Sequence, residues 1–342
     1  MTFTTIRELG RGYFGTVMLE FDESLGRLCA TKYANANHAA LGADSFAEAR
    51  TMLAAKHPNV VEIFQADIER GAPLIRMEYL ARGSVADKLL GGPAEIRSGI
   101  GIITDAARGL EYLHSLDLLH RDIKASNLLI ADNNDVKLAD FGLAGVVTQP
   151  KTLVNVGYRL TWPPENISSG KATDSKQGDI YALGIAAFRI LNGDSVYFAN
   201  MPDQGKLSAA IRAGRFPNRN AWLPHVHEPL RRVVRKAIHP DPVRRFATAK
   251  EFRHALERRI PVISWSYSQV NGEAHWTASK SGKNWHALIT RNAPGDFSFE
   301  VSSSRAGSKA RRNAADSISH VQFNEAANQA QAVLSRIAVN GR

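Results

Sequence analysis

One short segment of the chain, His120–Asn127, combines a carboxylate, a lysine and an amide, and a second carboxylate follows at Asp140. Asp122 could accept or orient a hydroxyl proton, and the side-chain oxygens of Asn127 and Asp140 are hard ligands of the kind that Mg²⁺ prefers. Lys124 could neutralise charge on a group in transfer. Phosphoryl transfer depends mostly on positioning and electrostatics, so this set of residues suits that reaction.

A glycine-rich loop, residues 10–15, precedes a lysine in an apolar strand pattern, Lys32. Glycines let a backbone lie close over phosphates, and exposed N–H groups can meet the phosphate oxygens. A strand pattern at Val17–Phe21 follows the loop, whereas a dinucleotide fold requires a helix there. The charge of Lys32 needs a partner, for which Glu48 is the candidate. Taken alone, a tight turn without ligand and a surface lysine remain alternatives.

The elements that must position these residues change type along the chain. Apolar clusters at Leu28–Tyr33, Val60–Phe64 and Leu74–Leu80 predict strands, with one helix at Ser45–Ala55 between the first two. From about residue 100 the apolar spacing becomes helical, and helical segments are predicted from Gly178 to about residue 257. The pattern therefore predicts a small strand-rich part followed by a large helical part, an α+β class.

At this point the chain resembles the eukaryotic-type protein kinase family. The matching motifs, in family order, are the glycine-rich loop, Lys32, Glu48, a hinge at 78–80, His120–Asn127, Asp140-Phe141-Gly142, Pro163-Pro164-Glu165, Asp179 with Gly184, and Asp241–Arg245. They span about residues 5–258. The resemblance implies a bilobal protein-kinase domain over 1–260, with a small β-rich N-lobe at about 1–80 and a large helical C-lobe at about 81–260.

The resemblance also implies a role for each matching position. The catalytic residues would be Asp122, Lys124, Lys32 and Glu48. The residues contacting ATP would be Leu9, Gly10, Gly12, Gly15, Val17, Ala30, Lys32, Met77, Glu78, Leu80 and Leu129, although core packing is an alternative for the apolar ones. Asn127 and Asp140 would hold Mg²⁺, with Mn²⁺ as an alternative metal. Structural or regulatory roles would belong to Arg121, Phe141, Gly142, Glu165, Asp179 and Arg245, with Glu165 and Arg245 forming a buried ion pair.

The residues around the catalytic carboxylate indicate the acceptor. The run from Lys124 to Asn127 is typical of the serine/threonine class, so the expected substrate is a protein with a serine or threonine acceptor. Tyr158 departs from the pattern, because that class usually has a threonine there. We expect autophosphorylation at Thr148 or Thr152 to order the segment after Asp140. A segment that is ordered without phosphate is the alternative.

The sequence pattern changes near Ile260-Pro261, and residues 262–342 predict a β-rich accessory domain that ends in a helix. Four strands are predicted, at Ile263–Val270, Glu273–Ser279, Trp285–Arg291 and Phe297–Ser303. The Asn271-Gly272 pair between the first two is a strong hairpin signal. Ser319 and Gln322 have the spacing of a capping box at the start of the helix. No family is recognised for this part.

The charge of residues 262–342, nine Lys/Arg against five Asp/Glu or +4, leaves the partner of this module open. The basic stretch 305–312 together with Trp265, Trp276 and Trp285 would suit a nucleic-acid surface. A solvated loop on a domain whose tryptophans fill its own core is the simpler interpretation, and a protein-docking module is a further one. His225 and His227 show no metal-ligand spacing and are expected at the surface.

Composition bounds the remaining function classes. With 44% hydrophobic and 22% charged residues, the chain is ordinary globular material rather than a disordered or fibrous protein. The single cysteine, Cys29, excludes a disulfide framework. No membrane span or secretory signal is visible, so a soluble, cytoplasmic protein is expected. The rival functional hypothesis is an inactive kinase-like scaffold that binds nucleotide and recruits a partner through the C-terminal module.

Overall fold

The computed structural model describes residues 2–12, 15–34, 53, 56–69, 72–140, 160–169, 175–199 and 201–341. The chain divides into two compact units. The first unit contains residues 1–88, 105–183 and 247–250, and the second contains residues 89–104, 184–246 and 251–342. The predicted α+β class is confirmed, whereas the predicted domain boundary at 260–262 stays a prediction.

The first unit begins with a five-stranded antiparallel sheet in the order β1-β2-β3-β5-β4. Its strands are β1 (Phe3–Gly12), β2 (Gly15–Asp22), β3 (Arg27–Ala34), β4 (Ile63–Glu69) and β5 (Ala72–Glu78). The three strand-like clusters predicted from the apolar pattern fall on or beside β3, β4 and β5. Of the predicted helix at Ser45–Ala55, all but residue 53 lies outside the described residues.

Alternation along β3 decides which side chains face the candidate site. Thr31 and Tyr33 point to one face, where their hydroxyls donate to the buried carboxylate of Glu20. Burial, followed by this hydrogen bond, raises the pKa of Tyr33 to about 12. Because successive side chains of a strand point to opposite faces, Ala30 and Lys32 lie on the other face.

Helices dominate the middle of the chain. They are α1 (Val85–Leu89), α2 (Ile96–Ser115), α3 (Pro164–Ser169), α4 (Lys176–Phe198), α5 (Gln204–Arg212), α6 (Glu228–Ala237) and α7 (Ala249–Glu257). A short two-stranded sheet, β6 (Leu128–Ile130) with β7 (Val136–Leu138), lies in the first unit. The apolar stripe predicted for α2 is buried, including Ile103, Ala106 and Leu110 at 0% exposure.

Gly109 lets α2 approach the chain that supports β7. A Cβ at this position would lie 2.3 Å from the backbone carbonyl oxygen of Asn59, far inside normal contact. That same oxygen accepts the N–H of Leu138, and the Asn59 side chain donates to the carbonyl of Val136. The absent side chain of Gly109 therefore helps to fix the strand that leads to Asp140.

Replacing Gly109 by alanine is expected to lower the free energy of unfolding by about 2–3 kcal/mol, because a backbone carbonyl cannot yield as a flexible side chain does. Gly101 in the same helix is the matched control, since nothing lies within 4 Å of its added Cβ. Gly101→Ala should leave stability unchanged or raise it by up to about 1 kcal/mol through helix propensity. Chemical denaturation of both variants measures the difference, and equal effects would contradict the assigned close approach.

The second sheet lies in the second unit and has six strands. They are β8 (Ser266–Val270), β9 (Glu273–Lys280), β10 (Lys283–Ala293), β11 (Asp296–Arg305), β12 (Arg311–Arg312) and β13 (Ile318–Val321), followed by α8 (Phe323–Asn340). The Asn271-Gly272 hairpin is confirmed, with positive φ at both residues as its turn type requires.

Two sequence predictions for this module are wrong. The sheet has six strands rather than four, because β12 and β13 both pair with β11. Strands of two and four residues are too short to show alternation. The capping box does not form either: Ser319 lies in β13, and Gln322 at the N-cap makes no side-chain capping hydrogen bond.

The three tryptophans of the module fill a core with α8. Trp265, Trp276 and Trp285 are 0%, 1% and 6% exposed and pack with apolar residues of β10, β11 and α8. The indole N–H of Trp265 donates to the carbonyl of Leu334. Because these rings are covered, they offer no stacking surface for nucleic-acid bases, and the prediction that the tryptophans fill the module's own core is confirmed; the partner of the module stays a prediction.

The prediction that His225 and His227 lie at the surface is wrong, because they are 0% and 2% exposed. His225 Nδ1 accepts the indole N–H of Trp276 at 3.1 Å, and its ring stacks on Tyr267. Burial, with the nearby Arg231 charge as a smaller cause, lowers the pKa of His225 to about 3. Burial likewise lowers the pKa of His227 to about 4. Nothing in the Pro-flanked loop sequence indicates this packing.

These two histidines should make the second unit sensitive to acid. Both are neutral in the folded state, whereas the unfolded chain takes up protons near pH 6.5. Stability is therefore full above about pH 6.5 and declines as the pH falls toward 4, by about 2 kcal/mol for each histidine at pH 5. Thermal unfolding between pH 5 and 8 measures the slope. His225→Gln should reduce it, while the exposed control His320→Gln should not; an unchanged slope in both would contradict the burial of a neutral His225.

Candidate active site

The buried carboxylate of Asp179, near the start of α4, holds the loop that carries Asp122. Asp179 is 0% exposed. Its Oδ2 accepts the backbone N–H of His120 at 2.9 Å, and its Oδ1 accepts the N–H of Arg121 at 2.8 Å. His114 Nε2 at the end of α2 lies 2.9 Å from Oδ2 and donates to it. Three donors thus meet one carboxylate, so the backbone just before Asp122 is fixed.

Two non-glycine residues of the site have left-handed backbone. Arg121 has φ 67° and Asp140 has φ 66°. Such conformations cost on the order of 1–3 kcal/mol each and persist only where the surroundings determine them. Arg121 is next to Asp122, and Asp140 is itself a predicted metal ligand, so both left-handed residues lie where the sequence predicts catalysis.

The carboxylate of Asp122 is 6% exposed and contacts the other two polar residues of its motif. Lys124 Nζ donates to Asp122 Oδ2 at 2.8 Å. Asn127 Nδ2 donates to the same oxygen at 3.0 Å and to the Asp122 carbonyl at 2.8 Å. The Asn127 amide therefore presents its nitrogen to the carboxylate, so a cation held by Asn127 would contact the amide oxygen.

Backbone pairing brings Asp140 to this group. The N–H of Ala139 donates to the carbonyl of Asn127 at 2.9 Å, which ties the chain after β7 to the segment that carries Asp122. Lys32 is 6% exposed, and its Nζ donates to Asp140 Oδ1. The structure thus joins five of the predicted residues, Asp122, Lys124, Asn127, Asp140 and Lys32, through side-chain contacts and the backbone link from Ala139 to Asn127.

His120 supports the loop in its neutral form. It is 0% exposed, and burial lowers the pKa of its imidazole. Its Nδ1 accepts the backbone N–H of Asp122 at 3.3 Å, which a protonated nitrogen could not do. His120 is therefore a positioning residue for Asp122.

The glycine-rich loop joins β1 to β2, where Gly12 pairs with Gly15. Gly10 and Gly12 are exposed, and an added Cβ would meet nothing within 4 Å at either position. Leu9 lies at a break in the register between Glu8 and Gly10. The backbone at these two glycines is therefore accessible to a ligand, as contact with phosphate oxygens requires. Tyr13 and Phe14 lie outside the described residues.

The predicted adenine contacts come from neighbouring strands. Ala30 on β3 is opposite Met77 on β5. Ala30 is 8% exposed, while Val17, Met77 and Leu129 are half-buried. This placement is compatible with a pocket wall and with core packing alike, so their contact with ATP stays a prediction.

The hinge is held by an ion pair that the motifs did not indicate. Both Glu78 oxygens accept from Lys137 Nζ on β7 at 2.7 Å, and the Glu78 N–H donates to the carbonyl of Glu62. Leu80 lies two residues after Glu78, and its carbonyl accepts the backbone N–H of Gly83. Lys137, His114 and Asn59 are the supporting residues that sequence reasoning missed. Each lies outside a recognised motif and acts through a contact distant in sequence.

Several predicted residues cannot be placed. Glu48, Phe141, Gly142, Thr148 and Thr152 lie outside the described residues. The pairing of Lys32 with Glu48 therefore stays a prediction. Arg245 is buried and donates to the carbonyls of His239 and Pro240. Its ion pair with Glu165 also stays a prediction.

Comparison with known proteins agrees with this geometry. The family described as the protein kinase domain matches residues 3–256. The chain belongs to the protein kinase domain family. It is 30% identical over 266 residues to the serine/threonine-protein kinase PknJ of Mycobacterium tuberculosis, covering 73% of this chain and 44% of that protein.

Two further relatives of this kinase domain are named serine/threonine-protein kinases. Pkn1 of Myxococcus xanthus is 29% identical over 75% of this chain and 38% of its own length, and PrkC of Bacillus subtilis is 28% identical over 73% and 39%. The chain thus spans less than half the length of these relatives. The family match ends at residue 256, before the C-terminal module, and indicates no partner for that module.

Protein kinases in general use ATP and a divalent metal, and the donor set fits such a metal. Asp140 supplies a carboxylate and Asn127 an amide oxygen, both hard ligands. Among the described residues, no group of three or more His, Cys, Asp or Glu side chains could hold a metal by itself. No helix within the described part of the chain is long and apolar enough to span a membrane.

Proposed function

We propose that the protein transfers the γ-phosphoryl group of Mg²⁺-bound ATP to serine or threonine hydroxyls of protein substrates. The contact between Asp122 and Asn127 carries the proposal, because it joins the residue expected to handle the hydroxyl proton to an expected metal ligand. The similarity to three proteins named serine/threonine-protein kinases supports the acceptor class. Cytoplasmic location stays a prediction.

Each polar residue of the site would have one task. Asp122 would accept a hydrogen bond from the substrate hydroxyl, orient its oxygen and take its proton. Lys124, 2.8 Å from that carboxylate, would place positive charge beside the transferring group. Lys32 would bind phosphate oxygens as a point charge, and the open backbone at Gly10 and Gly12 would cover them.

The residues that would hold the metal are Asn127 and Asp140, with Mn²⁺ as the alternative to Mg²⁺. When bound, the metal supplies charge neutralisation at the phosphate oxygens. The chain supplies the support: Ala139 ties Asp140 to Asn127, and the left-handed backbone at Asp140 sets the direction of its side chain.

Incubation of the full chain with ATP labelled at the γ-phosphoryl group, a divalent metal and a generic protein substrate tests this function. Label on serine or threonine of the substrate is the expected result. Saturable nucleotide binding with no labelled product would overturn the proposal in favour of an inactive scaffold. Replacing Mg²⁺ by Mn²⁺ and by no metal in parallel reactions establishes which cation supports transfer.

Autophosphorylation of Thr148 or Thr152 is a second part of the proposal. Arg121 supports this hypothesis, because it precedes Asp122 and could pair with a phosphate on the segment that contains these threonines. Intact-mass analysis followed by site mapping after incubation with ATP and Mg²⁺ is the test. Added phosphate on either threonine supports the hypothesis, and its absence from that segment defeats it.

A further inference from the structure

A strongly basic cleft of about 650 Å³ is lined entirely by residues of the second unit. It lies among the segment after α5, helix α6 and the turn after α6, and we call it the basic cleft. Its cationic and potentially cationic lining residues are Arg215, Arg219, Arg235, Lys236, Arg244 and His239. Neither an acidic residue nor a phenylalanine, tyrosine or tryptophan occurs among the described residues that line it.

The positive charge of the basic cleft is only partly compensated. Arg235 donates to Glu228 at 2.8 Å, and Arg244 lies 3.7 Å from Asp241. In the described part of the chain, Arg215, Arg219 and Lys236 make no ion pair with a carboxylate. Five cationic lining residues therefore have two carboxylate partners, whose side chains are 45% and 49% exposed.

One arginine of the cleft, Arg235, has its side chain held by the backbone, and a buried arginine beside the cleft orders the adjoining loop. The carbonyl of Arg219 accepts the indole N–H of Trp222 at 2.8 Å and the Nε–H of Arg235 at 3.0 Å. Trp222 packs edge-on against Phe188 at 4.7 Å between ring centroids. Buried Arg231 donates to the carbonyls of three loop residues, Leu223, Pro224 and Val226. A site whose side chains are fixed beforehand loses less entropy when a ligand binds.

Gly214 allows the two walls of the cleft to approach. It has φ 64°, and an added Cβ would lie 2.5 Å from Pro240 Cγ and 3.0 Å from Arg219 Nη2. The glycine thus brings the end of α5 against the turn that follows α6. The backbone at Gly214 therefore helps to form the cleft.

The chemistry of the lining selects a compact dianion. Arginine guanidinium groups match the oxygens of a phosphoryl group through paired N–H donors. An ammonium adds a point charge. Binding of a nucleic-acid strand normally adds aromatic stacking of bases, and the described lining offers no such ring. A single phosphoryl group on a side chain fits the local, non-aromatic character of the cleft.

We propose that the basic cleft binds a phosphoserine or phosphothreonine side chain of a protein segment. The proposal rests on the proposed function, because the products of that reaction carry this chemical group. A kinase with such a cleft would retain or be guided to protein segments that are already phosphorylated.

Fluorescence anisotropy with the full chain and no ATP tests the cleft. The probes are a labelled peptide with one phosphoserine among neutral residues and its unphosphorylated twin. The phosphopeptide should bind at least tenfold more tightly than its twin. Arg219→Ala should weaken phosphopeptide binding at least tenfold, which corresponds to about 1.4 kcal/mol. Arg215→Ala provides a second variant with the same expectation.

Arg232→Ala is the matched control, because Arg232 is an exposed arginine of α6 that does not line the cleft. It removes the same charge and should change affinity less than twofold. Equal binding of both peptides, or equal losses in Arg219→Ala and Arg232→Ala, would overturn the proposal. The proposal would also be overturned if inorganic phosphate displaced the phosphopeptide at a concentration equal to the peptide's own dissociation constant. Tighter binding of a single-stranded oligonucleotide than of the phosphopeptide would overturn it as well.

Phosphoryl transfer to a generic peptide is measured on the same preparations, and Arg219→Ala should leave it unchanged. An inactive protein that still binds the phosphopeptide through Arg219 refutes the proposed function and leaves the basic cleft assigned. An active protein that does not distinguish the two peptides refutes the cleft alone.

Discussion

Asp122→Asn should reduce the rate of phosphoryl transfer by about 10²–10⁴-fold, the usual contribution of a positioned general base. The asparagine keeps the size of the side chain but cannot take the hydroxyl proton. Its amide would also place hydrogen-bond donors where Asp122 Oδ2 now accepts from Lys124 and Asn127. We expect kcat to fall with only a small change in the KM for ATP, because other residues are expected to contact the nucleotide.

Asp132→Asn is the control for this prediction. Asp132 is exposed in the turn between β6 and β7 and undergoes the same chemical change. Steady-state kinetics with a peptide substrate compares the two variants with the unaltered chain. Comparable kcat values for Asp122→Asn and the unaltered chain would remove Asp122 from its assigned role.

Asp179→Asn should damage both the rate and the stability, although Asp179 is assigned no contact with substrate. The carboxylate accepts from His114, His120 and Arg121, and asparagine keeps only one of its two acceptor oxygens. Losing one buried hydrogen bond to a charged group costs about 1.5–3 kcal/mol. The loop that carries Asp122 would shift, and a misplacement of about 1 Å can cost on the order of 10²-fold in rate.

The matched control is Asp117→Asn. Asp117 is 90% exposed in its side chain and pairs with Lys176, and an exposed pair of this kind contributes little. Denaturant unfolding and kcat are measured on both variants. A positioning role for Asp179 requires kcat to fall further than the KM for ATP rises. A variant that is less stable but has an unchanged kcat would reduce Asp179 to a purely structural residue.

The sequence was sufficient to find the residues of the candidate site because most of them sit at a fixed offset in a motif. Asp122, Lys124 and Asn127 are five residues apart at most, so the short segment that carries them keeps them close together. The link to Asp140 is equally local, through two short strands that end beside the loop. The alternating pattern of β3 similarly placed Lys32 on a strand.

What the sequence did not reveal depends on contacts between distant segments. His114 and Asp179 are 65 residues apart, and neither spacing nor polarity indicates that they meet. The burial of His225 depends on Trp276, 51 residues later. Polar residues in a proline-flanked loop look solvated until the partner that covers them is known. The two additional strands, β12 and β13, were not predicted because strands of two and four residues are too short to show an alternating pattern.

The group around Asp122 is proposed to move a phosphoryl unit from ATP to a protein hydroxyl. The test uses four peptides that differ only in the acceptor residue, which is serine, threonine, tyrosine or alanine. Each peptide is incubated with ATP, Mg²⁺ and either the unaltered chain or Asp122→Asn, and added phosphate is measured by mass spectrometry. We predict one added phosphate on the serine and threonine peptides with the unaltered chain, and little or none with the variant. Phosphate on none of the peptides, or equal phosphate from both proteins, would contradict the account.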